Sequence, residues 1–378
     1  MKKIYLIISI IVILVAGFLF YRMKGNSLKS TLEEAKKAIK EPDQQAMELC
    51  KRRWDSIAKP LHSLGKLEDN LVKIAGITGS ADIHLEKKAL VTMCADNGVV
   101  EEGVTQTGQE VTAIVTDNFL NKKATASILC SMAGADIFPV DIGVAAETHV
   151  IDRKIAWGTK NMTKGPAMTR EEAQQALETG ISMVEELKNK GYSLIATGEM
   201  GIGNTTTSSA VASVLLNEEV EKMTGRGAGL SSEGMTRKIN AIKKAIEINQ
   251  PDPTDGVDVL SKVGGFDIAG MAGIFIGGAV YGVPIVIDGF ISAVAALAAA
   301  RICPLVKEYM LASHVSKEPA AHLILEALGL SAPLHCDMCL GEGTGAVVLF
   351  PILDLACGVY NGMSTFQDIQ VEEYKPLA

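Results

Sequence analysis

The residues Tyr192–Thr206, YSLIATGEMGIGNTT, contain the pattern that decides the fold of this 378-residue chain. The run up to Ala196 is short and apolar, as in a buried strand, and a glycine-rich turn with Glu199 follows it. The chain then enters a helical stretch. At such a turn the backbone N–H groups and the positive end of the helix dipole converge, so the segment predicts an anion site at the end of a strand.

Three further apolar runs end in turns of the same kind, and helical patterns separate them. One helix is predicted from a capping box of Thr169 and Glu172 to a stop at Gly191, and another over Arg237–Ile248. Strands that alternate with helices predict an α/β fold with a doubly wound parallel sheet, whose ligands lie beyond the carboxyl ends of the strands. The three further runs are Ala89–Cys94, Ile137–Val140 and Pro284–Ile287.

The turn after Ala196 can be a binding loop or only a tight connection between a strand and a helix. It contains no Gly-Lys-Ser/Thr sequence and lacks the glycine spacing of a dinucleotide fingerprint. As a connection it would use Asn204 as the helix N-cap. Glu199 favours the binding interpretation, because a carboxylate beside an anion site is costly unless a ligand or hydrogen bonds use it.

A second carboxylate lies among glycines in Gly341-Glu342-Gly343-Thr344-Gly345, just before an apolar stretch. Partial burial would raise the proton affinity of Glu342 and suit it to general-base catalysis. The alternative is a surface glutamate in a turn, but glycines on both sides favour the close approach of a ligand.

Weaker features complete the set of candidates. Gly264-Gly265 and Gly225–Gly229 are flexible loops, of which the second is predicted only to make a turn. Lys238 could neutralise a phosphate or be a solvated surface lysine. His335–Cys339 offers too few ligands for a metal, and on an alternating strand its two cysteines would diverge, so no metal is predicted.

The composition excludes some functions. The net charge is −8, so no basic excess exists to displace counterions, and no nucleic-acid partner is expected. The seven cysteines are scattered rather than regularly spaced as in a secreted disulfide scaffold, which favours a cytosolic catalytic part.

The uncharged run Ile4–Phe20 predicts a membrane-spanning helix, and its length is close to the minimum that such a helix needs. A cleaved signal peptide and a start at Met23 are the alternatives. Basic residues are more numerous after the run than before it, so the positive-inside bias favours a cytoplasmic domain anchored to the cytoplasmic membrane. The polar residues that follow are predicted to be a tether leading into a helix, with a capping box of Ser30 and Glu33.

From about Leu32 to its C-terminus the chain resembles the nicotinate-nucleotide–dimethylbenzimidazole phosphoribosyltransferase family. The resemblance rests on many matched runs that occur in the same order along the chain. They are Lys59-Pro60, Ser63–Glu68, Ala95–Val99, Gly198–Thr206, Ile248–Pro251, Asp255-Gly256, Val259–Asp267, Asp288–Phe290, Ser313-His314 and Leu340–Gly343.

This resemblance implies transfer of the phosphoribosyl group of nicotinate mononucleotide to 5,6-dimethylbenzimidazole or a related base, giving α-ribazole 5′-phosphate and nicotinate for cobamide assembly. It implies a homodimer, no metal or redox cofactor, and Glu342 as the base that deprotonates the benzimidazole. Phosphate and ribose contacts are implied at Gly201, Lys238 and Ser316, with Glu199 as a second catalytic carboxylate. The other implied substrate-binding positions are Met200, Gly203, Asn204, Thr205, Gly264, Gly265 and Leu340.

Several positions depart from the family pattern. Asn97 replaces the usual histidine, and Cys339 replaces the usual arginine. In the acceptor pocket Thr107 and Val115 correspond to a serine and a glutamine, and loss of the amide makes that wall more apolar. The acceptor is therefore open between benzimidazoles, adenine and a phenol. A membrane-tethered nucleotide-binding protein without turnover is the alternative from another class.

The resemblance also implies a large α/β domain with a small helical domain built from both chain ends. The expected boundaries are 1–24 for the membrane anchor, 25–45 for the tether and first helix, 46–85 for the N-terminal part of the small domain, 86–330 for the large domain, and 331–378 for the catalytic loop and the C-terminal part of the small domain.

Overall fold

A computed structural model describes residues 31–374. The strands in this range are β1 (Lys88–Ala95), β2 (Ala135–Gly143), β3 (Ile151–Asp152), β4 (Leu194–Met200), β5 (Ile285–Ile287) and β6 (Met310–Ala312). They form one parallel six-stranded sheet with the order β3-β2-β1-β4-β5-β6. The chain winds outward in both directions from the central pair, β1 and β4, as in a doubly wound sheet. The predicted α/β class with a parallel, doubly wound sheet is confirmed.

Helices cover both faces of this sheet. Within the described range they are α1 (Leu32–Ala38), α2 (Gln44–Ser56), α3 (Lys66–Thr78), α4 (Glu110–Asn118), α5 (Thr125–Met132), α6 (Arg170–Asn189), α7 (Asn204–Leu216), α8 (Val220–Met223), α9 (Ser232–Asn249), α10 (Gly256–Val263), α11 (Phe266–Tyr281), α12 (Phe290–Ile302), α13 (Ala321–Leu328) and α14 (Thr344–Gly362), with 3₁₀ turns at Gly98–Glu102 and Pro304–Tyr309.

The local signals of the sequence set the ends of two of these helices. The capping box of Thr169 and Glu172 is formed at α6, and Gly191 follows its end with φ +85°. Helix α9 begins earlier than the predicted Arg237, because the Ser231 hydroxyl accepts a hydrogen bond from the N–H of Gly234 and caps the helix there.

Side chains of β1 alternate between two hydrophobic layers. Leu90 and Cys94 pack against the layer that contains α2, α3, α5 and α14, whereas Val91 and Met93 pack against the layer of α6, α11 and α12. This alternation follows from the two-residue period of a strand. The sheet is therefore buried on both faces, and only its strand ends remain open for a ligand.

The two ends of the described chain meet in the first of these layers. Trp54 of α2 packs against Tyr360 of α14 with ring centroids 5.0 Å apart, and Ile57 forms a β-bridge with Thr365. This layer shares its hydrophobic core with the sheet. The boundaries of the small domain, 46–85 and 331–378, therefore stay predictions.

The start of α1 differs from the prediction by one residue. Thr31 and Glu34 form the capping box, with the Thr31 N–H donating to Glu34 Oε2 at 2.9 Å, so the predicted box of Ser30 and Glu33 is wrong. The helix is a packed part of the fold. Leu32 and Ala35 of this helix are buried in the core, as is Ile39, which directly follows the helix.

The predicted membrane-spanning helix over 4–20 lies outside the described residues. Between residues 31 and 374, only α14 is long and apolar enough to cross a membrane, judged by length and composition alone. Leu349, Phe350 and Leu353 of α14 are fully buried in the core, as in an inner helix of a globular domain.

Candidate active site

A cavity of about 360 Å³ lies at the carboxyl ends of β4, β5 and β6. Met200 at the end of β4, Asp288 after β5 and His314 after β6 contribute to its wall. Because all the strands are parallel, their following loops meet at one edge, which is where doubly wound sheets bind ligands. The predicted position of the ligand relative to the sheet agrees with this cavity.

The structure brings most of the predicted site residues together at the cavity. Lys238 lies just behind the wall, where its Nζ donates to Thr205 Oγ1 at 2.8 Å and to the Gly225 carbonyl at 3.1 Å. Gly203 is the N-cap of α7 with φ +95°. The predicted residues that line the cavity are Glu199, Met200, Gly201, Asn204, Thr205, Ser316, Leu340 and Glu342.

Besides Gly203 and Lys238, four more predicted residues do not line the cavity. Gly264 and Gly265 lie behind it, and a Cβ on Gly265 would be 2.5 Å from Asn97 Oδ1. Thr107 is exposed in the loop before α4, and Val115 is half-buried on α4. Their predicted contacts with substrate therefore stay predictions.

One end of the cavity is suited to an anion. Asn204 is the first residue of α7, so the interpretation of this residue as the helix N-cap is wrong. Its side-chain amide donates to Glu199 Oε2. No side chain caps α7. The N–H of Asn204 donates to the Gly201 carbonyl and that of Thr206 to the Gly203 carbonyl, whereas the N–H of Thr205 remains for a ligand. Lys238 is fully buried beside Thr205, and burial lowers its pKa to about 8.

Glu199 lies between the start of α7 and the loop that carries Glu342. Its carboxylate is buried in the wall, and its Oε1 accepts a hydrogen bond from the N–H of Glu342 at 3.3 Å. Burial, with a contribution from the charge of Asp267, raises the pKa of Glu199 to about 8, although the hydrogen bonds oppose this shift. Binding of a cationic centre would favour its ionised form.

The loop that carries Glu342 has a left-handed backbone at three consecutive residues. The φ angles are +91° at Gly341, +62° at Glu342 and +87° at Gly343. A Cβ on Gly341 would collide with Glu199, and one on Gly343 would collide with Leu90. Both glycines are therefore required for the loop to approach the sheet.

The side chain of Glu342 faces the cavity from this loop. Its Oε2 accepts a hydrogen bond from the N–H of Ala126 at 3.3 Å. Burial raises the pKa of Glu342, and the nearby charge of Asp288 adds to this effect. A half-buried carboxylate with raised proton affinity is suited to accept a proton near neutral pH.

Asp288 holds the same loop and was not predicted as a site residue. Its Oδ1 accepts hydrogen bonds from the N–H groups of Gly345 at 2.7 Å and Ala346 at 3.1 Å, and its Oδ2 accepts one from Gly343 at 3.1 Å. Burial raises its pKa to about 6, and these hydrogen bonds oppose the shift. Asp288 thus caps α14 and fixes the turn beside Glu342.

The sequence interpretation also missed other parts of the wall. Gly227 and Ala228 line the cavity, so the prediction that Gly225–Gly229 only makes a turn is wrong. His314 lines it too, with Nδ1 3.0 Å from Ser313 Oγ, and burial lowers the pKa of the imidazole. The repeated glycines of Gly225–Gly229 were a sequence signal that could have identified this loop. No local sequence signal marked His314.

The segment His335–Cys339 is not the alternating strand that was assumed for it. It has no regular secondary structure, and Asp337 has φ +50°. Cys336 and Cys339 are free and exposed, and Cys339 reaches the cavity wall. In residues 31–374, no group of three or more His, Cys, Asp or Glu side chains is placed to hold a metal ion.

The chain is similar to several known proteins over most of its length. Residues 39–371 match a family described as phosphoribosyltransferase. The nicotinate-nucleotide–dimethylbenzimidazole phosphoribosyltransferase of Acetivibrio thermocellus is 53% identical over 352 residues, which cover 92% of this chain and 99% of that relative. The protein of the same name from Ruminiclostridium cellulolyticum is 52% identical, with coverage of 92% and 99%.

Solved structures agree with this similarity. The crystal structure of CobT from Thermus thermophilus has a TM-score of 0.83 and 37% sequence identity to this chain. The match covers 87% of this chain and 100% of that chain.

Proposed function

The chain belongs to the phosphoribosyltransferase family whose relatives are named nicotinate-nucleotide–dimethylbenzimidazole phosphoribosyltransferase, and on this premise we propose the reaction that it catalyses. It transfers the phosphoribosyl group of nicotinate mononucleotide to 5,6-dimethylbenzimidazole and releases nicotinate. The observation that carries this function is one cavity with an anion-binding end at α7 and a half-buried carboxylate, Glu342, at the other.

The anion-binding end accepts the 5′-phosphate of the nucleotide. The N–H and the hydroxyl of Thr205 at the start of α7 supply donors, and Lys238 supplies a positive charge through its contact with Thr205. Gly201 and Ser316 lie on the same wall. Binding here fixes C1′ of the ribose toward Glu342.

Glu342 acts as the general base at the other end. It removes the proton from one benzimidazole nitrogen while the other nitrogen attacks C1′, and the bond from C1′ to nicotinate breaks with inversion from β to α. Met200 and Leu340 provide apolar surface for the flat acceptor. Glu199, in the wall between the two ends, stabilises the positive charge that develops on the ribose.

A direct assay tests this function. The full chain is incubated with nicotinate mononucleotide and 5,6-dimethylbenzimidazole, and nicotinate and α-ribazole 5′-phosphate are measured by liquid chromatography and mass spectrometry. Equal amounts of both products support the proposal. Tight nucleotide binding in calorimetry without product after long incubation would contradict it. Adenine and phenol in parallel reactions measure the acceptor preference by kcat/KM.

Loss of Lys238 is expected to weaken nucleotide binding more than turnover. In Lys238→Met the KM for nicotinate mononucleotide rises by about 10- to 100-fold, because the positive charge behind Thr205 that attracts the phosphate is lost. In the wild type, KM rises as pH increases past the lysine pKa of about 8, since the neutral amine attracts phosphate less.

Lys244→Met, at an exposed site on the same helix, is the matched control and leaves KM unchanged. Steady-state kinetics between pH 6 and about 10 measure both effects. An unchanged KM in Lys238→Met would remove this lysine from phosphate binding.

We further propose that the protein is a homodimer that pairs through the groove between α5 and α14. Leu129, Met132, Val348 and Pro351 line this groove, and Met132 is 82% exposed. An apolar groove open to water is typical of an interaction surface. In the Met132→Glu variant, light scattering after gel filtration is expected to give the monomer mass where the wild type gives twice that mass. A monomeric wild type would contradict the proposal.

The N-terminal run over 4–20 is proposed to anchor this enzyme to the cytoplasmic membrane. Its lack of charge and its flanking basic residues support the proposal. Full-length protein is expected in the membrane fraction after centrifugation of a lysate, whereas a chain starting at residue 25 is expected in the supernatant. Full-length protein in the supernatant would contradict the anchor.

A further inference from the structure

Helix α5 begins without a cap of its own. Its N-cap residue is Ala124, whose φ and ψ of −77° and 153° are those of an ordinary N-cap, but whose methyl group accepts no hydrogen bond. Alanine is among the poorest N-cap residues because it leaves the first N–H groups of the helix without an acceptor. Ala124 is also almost fully buried, so water has little access to these donors.

Glu342 occupies the place of the missing cap. Its Oε2 accepts the hydrogen bond from Ala126, the second residue of α5. An N-cap side chain normally accepts from the N–H at this position or the next. The carboxylate of the base, 216 residues away in sequence, therefore serves as the cap of α5.

We propose that the first turn of α5 is a positioning element for the catalytic base, and that alanine at position 124 is what leaves the Ala126 N–H for Glu342. This inference rests on the proposed function, in which Glu342 is the base. Ala124 and Ala126 are positioning residues, since both act through Glu342 and neither lines the cavity wall.

The charges around Glu342 explain why this contact matters. Asp288, behind the loop, is an acidic group that disfavours a second negative charge on Glu342, and Glu199 is another carboxyl group in the same cavity wall. His314 lines the same cavity, and its burial favours the neutral imidazole. Glu318 and Cys339 are further titratable side chains in the wall of this cavity.

Helix α5 opposes these effects with its backbone alone. It has no charged side chain, and the thiol of Cys130 stays neutral because burial raises its pKa to about 12. The N–H of Ala126 and the positive end of the helix dipole therefore stabilise the ionised form of Glu342. This hydrogen bond also holds Oε2 of Glu342 at the start of α5.

The substitution Ala124→Ser tests the inference. A serine in this backbone conformation would accept the Ala126 N–H itself and release Glu342. The acidic limb of the pH profile of kcat/KM is expected to move upward by about one pH unit, because the carboxylate loses a hydrogen bond that favours its charged form. The melting temperature is expected to stay the same or rise, since α5 gains a proper cap. A purely structural role would leave the pH profile in place.

Ala320→Ser is the matched control. Ala320 is the buried N-cap of α13, which also lacks a side-chain cap, and this position does not contact Glu342. Its pH profile is expected to match that of the wild type. An acidic limb in Ala124→Ser that coincides with the wild-type limb would overturn the inference.

A second variant, Ala124→Asp, keeps the inference testable if Ala124→Ser does not fold. Ala124→Asp offers a charged cap and places a negative charge beside Glu342, so the limb is expected to move further than in Ala124→Ser. Unshifted limbs in both variants, together with an inactive Glu342→Gln, would refute the role of α5 and leave the proposed function intact. An active Glu342→Gln would instead refute the assignment of the base.

Discussion

Glu342→Gln is expected to lower kcat by about 10²- to 10⁴-fold, the range that a general base contributes. Glutamine keeps the size of the side chain and can accept the hydrogen bond from Ala126, but its amide cannot take a proton from the acceptor base. Binding of nicotinate mononucleotide is expected to be unchanged, because the phosphate end of the cavity does not use Glu342. Steady-state kinetics and calorimetry on the same preparation measure the two quantities.

The exposed Glu247 of α9 provides the control for this substitution. Glu247→Gln removes the same charge from the protein at a site on the surface of that helix and is expected to keep full turnover. In the wild type, kcat/KM is expected to fall as pH drops through the pKa of Glu342, which burial raises above its ordinary value. Turnover of Glu342→Gln near the wild-type rate would remove Glu342 from the base role.

Asp288→Asn is expected to lower kcat by about 10²-fold, as a displacement of a catalytic group by about 1 Å does. The carboxylate accepts three backbone hydrogen bonds in the turn that follows Glu342. An asparagine has only one acceptor oxygen, so its amide nitrogen would face an N–H group of Gly343 or Gly345. The loop must then shift, and the stability of the fold is expected to fall by about 1–3 kcal/mol.

Chemical denaturation and steady-state kinetics measure the two effects of Asp288→Asn. Asp82→Asn, at an exposed carboxylate that contacts His84, is the control and is expected to change neither quantity. A variant with the stability loss but unchanged kcat would show that Asp288 holds the fold without setting the position of Glu342.

The two substitutions separate chemistry from placement. Glu342→Gln removes the group that takes the proton and leaves the loop in place. Asp288→Asn leaves the base unchanged and moves the loop that carries it. Restoration of kcat by raised pH would be expected in neither case, because the first lacks a base and the second lacks its position.

Local patterns in the sequence were enough to predict the sheet and part of the site. The apolar run before Gly198 predicts β4, and the capping box at Thr169 predicts the start of α6, because each signal depends on residues only a few positions apart. The glycines around Glu342 predicted the close approach of a ligand, and Gly341 and Gly343 have the positive φ angles that glycine favours.

Predictions from the sequence were wrong where the role of a residue depended on distant partners. Asparagine at position 204 is a residue type that commonly caps helices. Its side-chain amide instead donates to Glu199, because the buried carboxylate needs a hydrogen-bond donor. The Gly225–Gly229 loop looked like a simple turn until packing placed it beside Thr205.

Sequence alone therefore determined the α/β class, four of the six strands in the described range, and a carboxylate in a glycine loop. Only the tertiary structure decided that Asp288 holds this loop across 55 residues and that Ala126 reaches Glu342 across 216. The physical reason is that hydrophobic period and turn chemistry act over a few residues. The partners of a buried polar atom, in contrast, depend on which elements the folded core brings together.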